Sequence, residues 1–391
     1  MTKKPIGLSK LSVETRLALA GRDHERFERA VNPAVHRATT LVFDDPDDLY
    51  GKPHKTYALE GMAVQEALRE ALIAVEGGAG ATLAPSGLGA CTLALLTMAK
   101  AGGEMLVADN VYGPTRRFCD TMLTRLGVRT IYFDPRIGSD IAALLNERTC
   151  GVFLESPGSG TFEISDVPAI TAAARTIGAP TAIDNTWSAG VFFKPFAHGI
   201  DLSVQALTKY QAGHSDAFMG AVLSATPAWE TRVRMAYKQL GFGAAPDDAY
   251  LVLRGMRTLA LRLERQSASA LTIARWLETH PQVARVIHPA FASHPDHALW
   301  ARDFTGASGL FAFELRPEAS GRVRGMLQSL SLFAMGFSWG GYESLITPIN
   351  ENVTRTASSW TPKGETIRVS IGLESPQDLI NDLTQGLARL A

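Results

Sequence analysis

Ala206-Leu207-Thr208-Lys209-Tyr210-Gln211-Ala212-Gly213-His214-Ser215-Asp216 sets a lysine directly behind a hydroxyl residue, on a run entering a Gly-His-Ser-Asp turn. Upstream, the apolar run Thr181-Ala182-Ile183 delivers Asp184-Asn185-Thr186-Trp187. An acid at one strand end and a lysine at a later one are what pyridoxal phosphate (PLP) chemistry requires. The lysine amine condenses with the aldehyde, and the carboxylate keeps the pyridine nitrogen protonated so that the ring accepts electrons. A Thr-Lys pair alone carries little weight, because most lysines are solvated surface charges. Here two motifs stand in order on strand-like segments.

Working outward, residues from Met62 alternate helix and strand patterns. Met62 to Glu76 is apolar at helical spacing and stops at Gly77-Gly78. Ala81 to Ala84, Glu104 to Ala108, Arg129 to Phe133, Gly151 to Glu155 and Thr181 to Asp184 read as strands. Leu88 to Lys100, Pro114 to Leu126 and a segment capped by Asp166 read as the intervening helices. Such alternation predicts a mostly parallel sheet with helices on both faces and a ligand at the carboxyl ends of its strands. Ser86-Gly87, Asp109, Glu155, Asp184 and Lys209 all fall at or near those ends.

Three regions are expected: an irregular arm over 1–58 lying across a neighbouring subunit, an α/β domain over 59–246, and a smaller α+β domain over 247–391. In the last, Leu310–Leu315 and Ile367–Ile371 read as strands and Asp378 to Leu390 as a closing helix. Asp44-Asp45-Pro46-Asp47-Asp48 reads as a turn in the arm.

The 391 residues suffice for two domains, and 46% hydrophobic with 20% charged residues suits a globular enzyme. A net charge of −1 gives no pull toward nucleic acid or an anionic membrane. The arginines Arg254, Arg257, Arg262 and Arg265 read as one face of an interdomain helix. Cys91, Cys119 and Cys150 share no CxxC spacing, which implies buried thiols in a reduced, cytoplasmic setting. No apolar run reaches membrane-spanning length, and Lys3, Lys4, Lys10, Glu14 and Arg16 interrupt any signal-like start. No metal site is expected. His294-Pro295-Asp296-His297 imitates a metal motif, but Pro breaks the helical spacing, so it reads as a surface loop.

Ile183-Asp184-Asn185-Thr186-Trp187-Ser188-Ala189-Gly190 and Gln205–Asp216 resemble the PLP-binding signatures of the Cys/Met-metabolism enzymes, and within that family the bacterial cystathionine β-lyases. The likeness extends to Leu154-Glu155-Ser156-Pro157-Gly158-Ser159, Asp303-Phe304-Thr305-Gly306 and Phe337–Leu345. It implies the fold-type-I PLP-dependent transferase-like fold: α/β, with a large mostly parallel sheet domain and a smaller C-terminal α+β domain. It further implies PLP as a Schiff base on Lys209, an amino-acid thioether as substrate, and a homo-oligomer whose dimers share active sites, assembled as a tetramer. The γ-acting relatives, cystathionine γ-synthase and methionine γ-lyase, remain the competing reading, as does a broader cysteine-S-conjugate β-lyase. A non-catalytic PLP-binding protein is the non-enzyme reading, against which Lys209 and Arg368 are both present.

The resemblance also assigns individual residues. Glycine at a strand-to-helix turn offers main-chain N–H groups to an anion, and the family binds PLP phosphate with those of Gly87 and Leu88, Thr208 adding its hydroxyl. Tyr112 stacks on the ring and helps move the substrate's amino proton. Arg368, with Ser338 and Trp339, receives the substrate carboxylate, for which Arg supplies a planar double donor. Tyr237 recognises the side chain. Tyr57 reaches the phosphate across the dimer interface. Two residues after it the family has Arg; this chain has Leu59, and Lys55 is the nearest cation that could take its place. His214 is expected to bond local backbone only.

Overall fold

A computed structural model describes residues 7–23, 25–51 and 55–390, without the side chains of Ser9 and Ser320; Lys3 and Lys4 lie outside them. Seven strands build the larger sheet: β1 (Gly80–Ala84), β2 (Glu104–Ala108), β3 (Arg129–Phe133), β4 (Thr149–Glu155), β5 (Thr181–Asp184), β6 (Leu202–Gln205) and β7 (Gly220–Ser224). Their order is β1-β7-β6-β5-β4-β2-β3. All pairings are parallel except those of β7, which runs against β1 and β6. The expected mostly parallel sheet is therefore present, with β6 and β7 as strands the sequence pattern did not single out. Parallel strands buried on both faces read as continuous apolar runs, and β1, β2, β5, β6 and β7 are buried throughout.

The smaller sheet holds β8 (Val283–Ile287), β9 (Leu310–Leu315), β10 (Ala334–Met335), β11 (Leu345–Pro348) and β12 (Thr366–Ser370), ordered β10-β11-β12-β9-β8. It is antiparallel apart from β10 with β11. The expected Arg/Leu-rich helix is two helices, Pro246–Met256 and Leu259–Glu278. The second serves both layers. Leu259 and Leu263 bury with Tyr210 and Met219 of the larger domain, while Ala270, Ile273 and Leu277 bury with Phe311 and Phe313 of the smaller. Each fully buried leucine contributes roughly 2 kcal/mol by area, so this helix couples the two layers.

Arg257, Arg262 and Arg265 tie backbone carbonyls rather than face an anion. Arg257 Nη1 donates to Leu17 and Ala20. Arg262 donates to Tyr210 and Gly255, each at 2.7 Å, and Arg265 to Glu374. Gly213 is needed for this arrangement: its φ is +70°, and a side chain there would strike the Arg262 guanidinium.

Asp109 closes the two domains from the other side. It is fully buried and accepts from Arg116 at 2.8 Å and from the amides of Thr356, Ala357 and Ser358. Its carboxyl stays below the usual range although burial opposes this, because the Arg116 and backbone bonds outweigh that penalty. Asp109, one residue past the end of β2, thus ties the two domains together.

Three local expectations need correction. Pro114 to Leu126 is not a uniform α-helix: Gly113–Phe118 passes into a π-turn at Cys119–Leu123. Asp45 is not merely a turn residue but caps a short helix, Pro46–Tyr50, accepting from the Asp47 amide. The His294 stretch is not a surface loop. His294 and Asp296 are buried, because Asp296 receives both Arg136 nitrogens at 2.7 and 2.8 Å and the Ile164 amide.

As far as Phe27 the arm joins the core of the larger domain of its own chain. Leu17, Ala20 and Phe27 pack into the cluster around the helix Ala63–Glu76. Beyond them Val42 and Tyr50 are exposed. No helix of the described residues is long and apolar enough to cross a membrane.

Candidate active site

A cavity of about 240 Å³ opens at the carboxyl ends of β4, β5 and β6. It gathers Gly87, Leu88, Tyr112, Asp184, Thr208, Lys209, Trp339 and Arg368, residues spread over most of the chain. In register, Glu155 at the end of β4 sits beside Asp184 at the end of β5.

Asp184 is held from behind. Its Oδ1 accepts from the Thr186 hydroxyl at 2.5 Å and the Thr186 amide at 3.0 Å. That hydroxyl in turn accepts from the Ala206 amide at 2.9 Å, which ties the acid to the segment bearing Lys209. Burial pushes the Asp184 carboxyl up, while the Thr186 bonds, the Cys91 thiol and the Lys209 charge pull it down. Among the described residues no cation pairs with it at ion-pair distance. A buried anion of this kind calls for a cationic partner, which a protonated pyridine supplies.

Lys209 follows β6 after a short turn. Its Nζ donates to Ser338 Oγ at 3.0 Å and lies 5.1 Å from the centre of the Trp339 ring. Burial, then the Arg368 charge, lower the amine to about 8, against the pull of Asp184. Arg368 sits in the middle of β12, between Thr347 of β11 and Ala312 of β9. One nitrogen, Nη2, donates to the carbonyls of Phe337 and Ser338 at 2.9 and 3.3 Å. No carboxylate of the described residues pairs with it, and burial lowers it to about 10. A guanidinium so placed fits a ligand carboxylate.

The helix Gly87–Met98 points its first turn at the same cavity. Ser86 Oγ caps it by accepting from the Gly89 amide at 3.0 Å. The Gly87 and Leu88 amides are among those that a helix start leaves without intrahelical acceptors, so they suit a phosphate. A side chain at position 87 would collide with Ala206 beside the lysine, which accounts for the glycine. Lysine, acid, anion seat and guanidinium therefore fit PLP with an amino acid.

Other expected residues behave differently. The Thr208 hydroxyl lines the cavity but is already engaged with Met219, donating to its carbonyl at 3.1 Å and accepting from its amide at 3.0 Å. Tyr112 is half-exposed at the rim, fixed by its amide to Glu155 at 2.6 Å. Burial raises its phenol, with Arg368 opposing, so the hydroxyl keeps its proton. Tyr237 and Tyr57 do not line this cavity. Tyr237 is buried and donates to the Leu59 carbonyl at 3.3 Å. Tyr57 is half-exposed and lines a separate groove with Leu59. Lys55 does not stand free to replace the missing arginine: its ammonium is taken by Glu66 and the Gly61 carbonyl. His214 bonds the Ala212 carbonyl, as expected.

Sequence reasoning passed over Cys91 and Thr186 as site residues and gave Glu155 no role. The carboxyl of Glu155 lies against the cavity, and burial with the neighbouring Asp184 charge pushes it well above the usual range. Its place at a strand end was the available signal.

The model of the family described as Cys/Met metabolism PLP-dependent enzyme matches residues 14–388. A Rhizobium johnstonii protein with a provisional cystathionine β-lyase name is 46% identical over 99% of both chains. Cystathionine β-lyase MetC of Escherichia coli is 43% identical, over 97% of this chain and 98% of its own. Among solved structures, cystathionine γ-synthase of Xanthomonas oryzae, in complex with aminoacrylate and cysteine, is similar with a TM-score of 0.88. It is 31% identical and covers 97% of this chain and 98% of that one.

Proposed function

Because this chain belongs to the Cys/Met-metabolism family of PLP-dependent enzymes, we propose that it cleaves the Cβ–S bond of L-cystathionine and, with the uptake of one water, releases homocysteine, pyruvate and ammonia. The observation that carries this reading is one cavity facing Lys209, Asp184 and Arg368 together, in a chain whose full length resembles cystathionine β-lyases.

Lys209, Asp184, Gly87 and Leu88 would hold the cofactor, which when bound supplies an electron sink for the carbanion at the substrate's α-carbon. Arg368 binds and orients the substrate through its α-carboxylate, using the nitrogens left free by Phe337 and Ser338. Lys209 Nζ, lowered to about 8, is partly neutral near physiological pH and takes the α-proton. The same nitrogen then returns a proton to the departing sulfur. Ser338 Oγ holds Nζ between these tasks. Trp339 and Trp187 wall the cavity. Tyr112, its phenol raised by burial, is placed to exchange a proton with the substrate amine.

Tyr57 and Tyr237, joined through Leu59, are read as facing the site of a neighbouring subunit in a homo-oligomer. That neither lines the cavity of its own chain supports this. The likeness to a γ-synthase keeps a γ-acting enzyme as the second reading.

The test is product identification. Incubated with L-cystathionine, the enzyme should yield pyruvate and homocysteine; formation of 2-oxobutyrate and cysteine instead would transfer the chain to the γ-acting reading.

A further inference from the structure

The acid at the floor of the cavity has two oxygens with different surroundings. Asp184 Oδ1 is occupied twice by Thr186. Asp184 Oδ2 has a single protein donor among the described residues, the Cys91 thiol, with Sγ at 3.5 Å. That distance is within the range of a sulfur hydrogen bond. Cys91 itself lines the cavity, although it is only 2% exposed.

Cys91 also stands in a particular place on its helix. It follows Gly87 by four residues, one turn, so both lie on the same helical face. The helix therefore presents an anion seat at its first turn and a donor to Asp184 at its second. Burial, reinforced by the Asp184 charge, pushes the Cys91 thiol well above its ordinary range. It therefore remains a protonated donor and is a poor nucleophile or metal ligand.

We propose that Cys91 is a positioning residue: its S–H bond to Asp184 Oδ2 fixes the carboxylate relative to the Gly87–Leu88 anion seat, so that the acid and the seat engage one PLP molecule together. Removing the donor leaves Oδ2 free to rotate about the Thr186 anchor and removes one of the contacts that keep a buried carboxylate ionised. This rests on the PLP reading of the cavity and adds to it a residue that holds the acid in register.

The experiment compares Cys91→Val, which is apolar, somewhat larger and removes the donor, with Cys91→Ser, which keeps a smaller donor at the γ position. PLP affinity is measured by titrating the apoenzyme. Cys91→Val should weaken PLP binding about 3- to 10-fold, the scale of one hydrogen bond from a weak thiol donor, and Cys91→Ser should recover most of the loss. A second measurement uses the unloaded protein: the infrared S–H stretch lost in the parent-minus-Cys91→Val difference spectrum should lie at the low-frequency, hydrogen-bonded end, and should move up in an Asp184→Ala background. Parent-like PLP binding by Cys91→Val, equal losses in the folded Val and Ser variants, or an unshifted free S–H band would each overturn the proposal. Failure of the parent protein to bind PLP would instead overturn the reading on which it rests.

Discussion

Ser338 Oγ lies 3.0 Å from Lys209 Nζ, although the two residues are 129 positions apart and belong to different domains. The carbonyl of the same serine accepts from Arg368 Nη2. Ser338 thus stands between the amine expected to move protons and the guanidinium expected to hold a carboxylate, and the relative placement of the two domains sets the distance between them. Asp109 and the helix Leu259–Glu278 are what fix that placement.

Purified with PLP, the protein should be yellow and borohydride should fix the cofactor on Lys209. Lys209→Ala should lose the visible band on dialysis and fail to trap PLP. Peptide mapping that found the label on another lysine would displace Lys209 from the centre of the site.

Arg368→Lys should lower kcat/KM by ~2–4 kcal/mol, because an ammonium cannot reproduce a planar fork at a carboxylate. Steady-state kinetics with cystathionine measures this. Unchanged kcat and KM would place the substrate carboxylate elsewhere, since Arg368 would then be only a tie to Phe337 and Ser338.

Leu59→Arg should slow the loss of PLP on dialysis. One added charge-assisted pair to phosphate is worth roughly 1.5–3 kcal/mol in a favourable site, and Lys55, held by Glu66, does not supply it. Leu59 packs on Gly243, so thermal unfolding must be followed in parallel. Unaltered PLP retention in a folded variant would mean that this segment does not meet a phosphate.

Acid should destabilise the fold through His288. Burial, then the neighbouring His294 charge, lower this ring from its ordinary 6.5 to about 3. The unfolded chain therefore binds a proton that the folded chain refuses. The contribution is complete above pH 6.5 and declines as pH falls toward 3, at about 1.4 kcal/mol per pH unit for this one group. His288→Asn keeps an acceptor for the Ala290 amide and removes the ionisable ring. Its denaturant midpoint should fall less steeply between pH 6.5 and 4 than that of the parent; parallel curves would refute the assignment.

The edge of the larger sheet that carries the candidate site was legible in the local sequence pattern. Asp184 and Lys209 each end an apolar run followed by turn residues, and parallel-sheet topology carries such ends to one side. Gly87 was legible for the same reason, as a glycine at a strand-to-helix turn. Arg368 was placed on its strand by alternation with Ile367, Val369 and Ile371. Its part in the site, like those of Trp339 and Ser338, came only from resemblance. Tertiary structure alone decided the rest. Strand β7 pairs with β1, far from it along the chain, as well as with β6, which no local pattern announces. His294 and Asp296 look like loop residues until Arg136, from the other domain, buries them. Thr208 turns its hydroxyl to Met219 because β7 returns beside it, and Cys91 meets Asp184 only once its helix packs across the sheet. Local patterning sets which residues stand at strand ends and helix starts; the contacts between distant segments, which fix where a hydroxyl or thiol proton goes, exist only after those segments have packed together.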